Sequence, residues 1–200
     1  MSDDIRAKVT DVLPGIRKDL EDLVRIESVS ADPARAGEVQ RSAEAVAELF
    51  RAESFDTVEI VSADGGAPAV IAHKSGPAGA PTVLLYAHHD VQPENDHAEW
   101  DSPPFEPTER MSSSGVRLFA RGAADDKAGI AAHLGALRVF GDDLPVSVTM
   151  FIEGEEEVGS DSLPALLKAH HESLRADVIV IADSGNWDIG EPALTTSLRG

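Results

Sequence analysis

The chain has 200 residues, which is enough for one domain with a substantial apolar core. It contains 36 acidic and 17 basic residues, and the formal charge of −19 argues against nucleic acids and anionic membranes as partners, because both attract Lys and Arg. These 200 residues include no cysteine, which excludes disulfides, thiolate metal ligands and a cysteine nucleophile from the sequence.

Helices are predicted for the N-terminal part of the chain. Apolar residues recur at helical spacing over residues 3–26, where Pro14 predicts a kink or a break. A second amphipathic helix is predicted over residues 37–52. The first six residues show neither the basic nor the apolar region of a signal peptide, so we expect a cytoplasmic protein.

Short strands alternate with helices over the rest of the chain. Three strands are predicted at residues 57–61, 69–73 and 83–87, and a long loop at residues 92–115. Then follow a short strand at 116–120, a helix at 127–140, a strand at 146–152, a helix at 162–174 and a buried strand at 178–182. This alternation predicts an α/β fold with a mostly parallel central sheet flanked by helices.

Histidine and acidic residues follow four of the predicted strands. They are His88-His89-Asp90, Asp125-Asp126, the acidic run at residues 153–157, and Asp183. Each cluster alone is compatible with a turn, a helix cap or a solvated acidic surface. Ligands bind beyond the carboxyl ends of strands in open α/β sheets, and carboxylates that converge there repel one another unless a cation holds them. We therefore expect one or two divalent metals, and oxygen and imidazole ligands without sulfur suit Zn²⁺, Mn²⁺ or Co²⁺.

Four sequence blocks resemble those of a family of zinc-dependent aminoacylases, carboxypeptidases and dipeptidases. The blocks are Tyr-Ala-His-His-Asp-Val-Gln-Pro at 86–93, Trp-Asp-Ser-Pro-Pro-Phe at 100–105, Arg-Gly-Ala-Ala-Asp-Asp-Lys at 121–127 and Glu-Glu-Val-Gly-Ser at 156–160. They occur in the family's order and spacing, and the resemblance is nearest to carnosinase-like dipeptidases. Two positions depart from the family pattern: Ala87 stands where Gly is common, and Ala128 separates Lys127 from Gly129.

The resemblance implies a two-metal site in a zinc exopeptidase catalytic domain. His88, Asp125 and Asp183 would hold one metal. Asp125 would bridge to a second metal, which Glu157 would also bind. Zn is the metal that the resemblance favours at both positions, with Mn or Co as alternatives.

Two further residues receive catalytic roles from the resemblance. Glu156 would be the general base, which takes a proton from the attacking water and passes it to the leaving amine. Asp90 would orient the imidazole of His88. A cis peptide bond between Asp125 and Asp126 is also implied. We assign no metal role to the remaining histidines, His73, His97, His133, His170 and His171, and leave the role of His89 open.

The implied activity is hydrolysis of the amide bond of dipeptides or related small peptides. Deacylation of N-acyl amino acids or N-succinyl amines on the same metal core is an alternative, and a non-catalytic metal-binding domain is another. The sequence at 194–200 also resembles the dipeptidases.

The resemblance further implies that residues 1–200 are the N-terminal part of a catalytic domain. Its C-terminal part and a lid and dimerisation domain would be absent, whereas the full-length protein would be a homodimer. We therefore expect negligible peptidase activity from these 200 residues alone, and an exposed sheet edge that can pair with another copy.

Overall fold

The computed structural model describes residues 3–196, so residues 197–200 of the dipeptidase-like closing sequence lie outside the described part. Helix α1 (Asp3–Val24) runs through Pro14 instead of ending there, so the prediction of a break is wrong. Pro14 and Thr10 both lie on the exposed side of the helix, where water can satisfy the carbonyl that proline leaves without a donor. Helix α2 (Ala36–Ala52) agrees with its predicted range.

Seven strands follow in the described part of the chain. They are β1 (Thr57–Val61), β2 (Ala69–Lys74), β3 (Thr82–His88), β4 (Thr108–Ser112), β5 (Gly115–Phe119), β6 (Ser147–Glu153) and β7 (Val178–Ile181). Five of them form the central sheet in the order β1-β2-β6-β3-β7. Strand β2 runs opposite to the other four strands of this sheet and pairs antiparallel with β1 and β6, whereas β6, β3 and β7 are mutually parallel. The mostly parallel sheet, flanked by helices, confirms the predicted fold class.

The main core lies between the sheet and helices α1, α2 and α3 (Lys127–Phe140). Phe50, Ile130 and Leu134 are fully buried there, and each contributes roughly 1.5–3 kcal/mol relative to an exposed side chain. Side chains alternate across the strands, so a second set of apolar residues lies on the other face, against the short helix α4 (Leu163–Ala169). None of the helices over residues 3–196 has the length and hydropathy of a bilayer-spanning segment.

The predicted long loop at 92–115 contains a strand. Strand β4 pairs antiparallel with β5 in a separate two-stranded sheet, so the prediction of an unbroken loop is wrong. Strand β4 has no continuous apolar run, and much of the hairpin is exposed. Met111 on β4 is 77% exposed, and its partner Val116 on β5 is 56% exposed. The predicted helix at 162–174 is also shorter than expected, because α4 ends at Ala169 and exposed turns follow.

Strand β7 is exposed, contrary to the prediction of a buried strand at 178–182. All four of its residues are exposed, including Ile179 at 62%. Within the described residues, β7 is the outermost strand and pairs only with β3. The apolar run is typical of a strand covered on both faces, but the described part of the chain does not supply that cover.

Candidate metal centre

Three neighbouring parallel strands direct the candidate site to one edge of the central sheet. Strand β3 ends at His88, β6 ends at Glu153, and β7 ends two residues before Asp183. Asp125 arrives differently: β5 belongs to the separate hairpin, and Asp125 lies in the loop before α3. The prediction that four strands of one sheet deliver the clusters is therefore wrong for Asp125, although its side chain still reaches the site.

Two overlapping groups of metal-ligand side chains share His88. Ligand atoms of His88, Asp125 and Asp183 all lie within 4.8 Å of one another, and so do those of His88, Glu156 and Glu157. The imidazole Nε2 of His88 is 3.1 Å from Asp125 Oδ1 and 3.9 Å from Glu156 Oε2. The first group is the set that the resemblance implies for one metal. The second brings Glu157 together with His88 and Glu156, and does not include Asp125.

The surroundings of His88 fit a divalent cation. Its Nδ1 donates to the backbone carbonyl of Asp90 at 3.0 Å, which leaves Nε2 directed toward Asp125. Burial would lower the pKa of this imidazole, but Asp90, Asp126 and Asp183 outweigh burial and raise the pKa to about 10. A divalent cation would relieve the same concentration of negative charge, and imidazole nitrogen with carboxylate oxygens is a donor set that Zn²⁺ takes.

Asp90 is fully buried, and its carboxylate links the two groups. It accepts hydrogen bonds from the backbone N–H groups of Glu156 at 3.2 Å and Glu157 at 3.1 Å. Its carboxylate lies 3.4 Å from His88 Nδ1, farther than its own backbone carbonyl does. Burial raises the pKa of Asp90, but hydrogen bonds from His88 and Ser30 lower it overall, so the carboxylate stays ionised at neutral pH.

Glu156 and Glu157 open a short 3-10 turn, separated from β6 by two residues, and are both half-buried. Burial raises the pKa of Glu156, and the charges of Asp183, Glu157 and Asp90 add to the rise while His88 opposes it. A carboxylate with a raised pKa is a better proton acceptor near neutral pH. Glu157 is held by Gln92, whose Nε2 donates to Glu157 Oε2 at 2.7 Å and to its carbonyl at 3.1 Å.

The loop that carries Asp125 is fixed by its two following residues, to which the sequence assigned no role. The peptide bond between Asp125 and Asp126 is cis, which confirms the expectation from the resemblance. Asp126 is buried and accepts the backbone N–H of His88 at 3.2 Å, and burial raises its pKa to about 7. A Cβ at Gly129 would lie 2.5 Å from Asp126 Oδ1, so this close approach requires glycine.

Lys127 is fully buried, and its Nζ donates to the carbonyls of Leu23 and Ile26, each at 2.8 Å. It thereby adds a second donor to carbonyls at and just beyond the C-terminal end of α1, which also accept backbone N–H groups. Burial lowers the pKa of Lys127 to about 7. Lys127 belongs to the sequence block at 121–127, but its hydrogen-bond partners lie about a hundred positions earlier and cannot be predicted from the sequence.

The other histidines lie outside both ligand groups in the described part of the chain. His89 is buried, and its Nε2 donates to the carbonyl of Pro68 at 2.8 Å. Burial lowers the pKa of His89 to about 4, so it is a neutral core residue at physiological pH. His133, on α3, is also buried and donates to the carbonyl of Tyr86 at 2.9 Å.

Comparisons with known proteins identify the family of this chain. Residues 84–196, more than half of the chain, match the sequence model of Peptidase family M20/M25/M40. The cysteinylglycine-S-conjugate dipeptidase of Corynebacterium striatum is 38% identical over 190 residues, which cover 92% of this chain and 40% of that protein. The Cys-Gly metallodipeptidase of Schizosaccharomyces pombe is 36% identical over 138 residues, covering 66% of this chain and 28% of that protein.

A solved structure extends the likeness to the fold. The crystal structure of human carnosine dipeptidase 1 aligns with a TM-score of 0.81 and 28% sequence identity, covering 92% of this chain and 41% of that chain. The chain thus spans about two fifths, or less, of the length of these three proteins. The family match takes in the histidine, the carboxylates and the sheet edge described above. This chain therefore belongs to Peptidase family M20/M25/M40.

Proposed function

We propose that this chain carries the metal-binding part of a dipeptidase that hydrolyses the amide bond of dipeptides or related small peptides. The observation that carries the proposal is the pair of ligand groups that share His88 at the carboxyl edge of the sheet. The relatives named above as dipeptidases support this choice of substrate.

The first ligand group supports one metal position, and the resemblance to the family implies a second. His88, Asp125 and Asp183 would hold one divalent ion, and Asp125 and Glu157 would hold the other. Zn²⁺ suits this mixture of imidazole and carboxylate, with Mn²⁺ or Co²⁺ as alternatives. When bound, such ions polarise a carbonyl and make a bound water more acidic.

Glu156 performs the proton transfers in the proposed reaction. It takes a proton from the attacking water and returns it to the leaving amine as the amide bond breaks. Its raised pKa and its position 3.9 Å from His88 suit this task. Asp90 holds the backbone of Glu156 in place while the side chain exchanges the proton.

Activity would require more than these 200 residues. The chain spans 40% of the length of the Corynebacterium relative. The family resemblance implies that residues beyond those described here would complete the catalytic domain, the lid and the dimer. The 200-residue protein should bind metal but hydrolyse peptides negligibly beside an intact enzyme. Rapid dipeptide hydrolysis by the pure 200-residue protein would contradict this.

Metal binding tests the site directly. Titration of the 200-residue protein with Zn²⁺ in a calorimeter should give binding that Asp183→Asn or Glu157→Gln weakens at least about tenfold, because each removes a charged ligand. The matched control is Asp161→Asn, an exposed carboxylate outside both groups. Equal affinity in all four proteins would refute the assignment.

Substrate choice requires the intact enzyme. We expect zinc-loaded enzyme to hydrolyse a panel of dipeptides faster than N-acyl amino acids of similar size. Faster hydrolysis of the N-acyl amino acids would instead assign the enzyme as a deacylase that uses the same residues. Stoichiometric zinc with no turnover of either class would instead favour a binding domain.

A further inference from the structure

Four polar groups contact the Asp90 carboxylate. Its Oδ1 accepts the backbone N–H of Glu156 and faces His88 Nδ1, while its Oδ2 accepts the backbone N–H of Glu157. The remaining donor is the hydroxyl of Ser30, which lies 2.6 Å from Oδ2. This is the shortest of the four contacts, and it comes from a segment that supplies none of the proposed metal ligands.

The segment that carries Ser30 is fastened beside the loop after β3. Val29 and Val91 form a parallel β-bridge, and Val91 N–H donates to the carbonyl of Ser28 at 3.0 Å. The hydroxyl of Ser28 donates to the carbonyl of His89 at 2.7 Å. Ser28 is fully buried and Ser30 is half-buried, so this segment presents two hydroxyls to the loop, but only one of them reaches a carboxylate.

We propose that Ser30 is a positioning residue for both metal positions and acts through Asp90. Its hydroxyl fixes the rotation of the Asp90 carboxylate. That carboxylate in turn fixes the backbone at Glu156 and Glu157 and the position of the His88 ring. This inference rests on the proposed function, because it assumes that these side chains bind metal.

Ser28 provides a matched control for the test. Ser30→Ala removes the hydrogen bond to the Asp90 carboxylate. Ser28→Ala removes a hydrogen bond of similar length from the same segment, but its acceptor is the carbonyl of His89. The dissociation constant for Zn²⁺ is measured by calorimetry with a competing chelator, and the metal-free unfolding midpoint is measured in parallel. Ser30→Ala should raise the dissociation constant about threefold to tenfold, somewhat less than the loss of a direct partner of a metal ligand. Ser30→Thr keeps the hydroxyl and should bind as the unmutated protein does.

The absorption bands of bound Co²⁺ give a second readout, because they report ligand geometry. They should shift in Ser30→Ala and stay unchanged in Ser28→Ala. Affinity lost equally in both alanine variants, or lost also in Ser30→Thr, would assign the effect to packing and overturn the inference. If the unmutated protein binds zinc and Ser30→Ala binds it with the same affinity, the inference about Ser30 is overturned but the proposed function is not. Absence of zinc binding by the unmutated protein would overturn both the proposed function and the inference.

Discussion

The buried charges around the candidate metal centre are held by fixed hydrogen-bond partners. Asp90 receives hydrogen bonds from Ser30, Glu156 and Glu157, and Lys127 donates to two backbone carbonyls. Removing one partner of a buried charge leaves its desolvation uncompensated, so such changes cost more than the hydrogen bond itself contributes. A substitution of one such residue should therefore destabilise the protein mainly because its former partner stays buried without a hydrogen bond.

Glu156→Gln should separate catalysis from metal binding in the intact enzyme. The amide has a similar size but cannot accept and return the proton, so we expect kcat to fall by at least about 10²–10⁴-fold. Zinc content, measured by mass spectrometry, should stay at the unmutated level. Glu99→Gln, at an exposed carboxylate outside the ligand groups, is the control and should leave kcat unchanged. Retained turnover in Glu156→Gln would assign the base to another residue.

Glu94 and Arg35 form a pair whose stabilising effect depends on pH. Arg35 donates to both carboxylate oxygens, at 2.9 and 2.6 Å, and these hydrogen bonds lower the pKa of Glu94 to about 2. The folded pKa lies below the ordinary value, so the pair stabilises the fold fully above about pH 4.3 and loses its effect as pH falls through 2. Glu94→Gln should lower the free energy of unfolding by about 1–3 kcal/mol at pH 7.

The difference between Glu94→Gln and the unmutated protein should shrink between pH 4 and pH 2. Urea unfolding followed by circular dichroism at several pH values measures it. Glu99→Gln again serves as the exposed control. A difference that stayed constant down to pH 2 would show that the lost stability comes from packing rather than from the ionised pair.

Sequence reasoning reached the residues that stand in local motifs and missed those defined by distant partners. His88, Asp125, Glu156, Glu157 and Asp183 follow strands or occur in recognisable blocks, and the structure brings their side chains together at one sheet edge. Ser30 acts on a residue 60 positions away, which spacing cannot reveal. His89 is equally ambiguous, because only the fold shows that its Nε2 meets the carbonyl of Pro68 whereas the Nε2 of His88 meets Asp125.

At the level of elements, α1 and α3 are joined through Lys127 at the start of α3. Lys127→Met fills similar space but removes the lysine donor from the carbonyls of Leu23 and Ile26, which keep only their backbone N–H donors. We expect the free energy of unfolding to fall by about 1–3 kcal/mol, since two buried acceptors each lose a hydrogen bond from the lysine. Urea denaturation measures the loss.

Lys18→Met is the control for this change. Lys18 lies on the exposed side of α1, and its surface pair with Asp22 contributes little to stability because water screens it. Equal stability of Lys127→Met and Lys18→Met would mean that the buried ammonium contributes little to holding the helix ends together.

Helices with a long apolar face were predicted well, whereas short or edge elements were not. The spacing of apolar residues located α2 and α3 because their buried faces repeat over several turns. The hairpin strand β4 escaped prediction because it pairs mainly through backbone hydrogen bonds and has no buried apolar face. Strand β7 has an apolar sequence that predicts burial, but composition alone cannot tell where the cover comes from.

At the level of the whole molecule, the exposed β7 edge should make the 200-residue protein self-associate at high concentration. Apolar edge strands offer unpaired backbone groups to a second copy. Ile179→Lys should reduce association while changing the free energy of unfolding by less than about 0.5 kcal/mol, because the side chain is 62% exposed. Sedimentation velocity over a concentration series measures the association.

Met111→Lys is the control for this edge. It places the same charge on the exposed hairpin, at a side chain that is 77% exposed, and should leave association unchanged. A protein that stays monomeric at every concentration, or association reduced equally by both lysines, would contradict a role for β7.

The contact between Lys127 and the end of α1 also bears on how the chain is made. The hydrogen-bonded residues Leu23 and Lys127 are 104 positions apart. At about 5–20 residues per second, a ribosome adds the intervening chain in roughly 5–20 s. Throughout that time the carbonyls of Leu23 and Ile26 lack the lysine that donates to them, and the apolar face of the helix has no α3 to pack against. Chaperones that shield nascent chains would therefore find their longest opportunity on α1, before translation reaches the loop that carries Asp125.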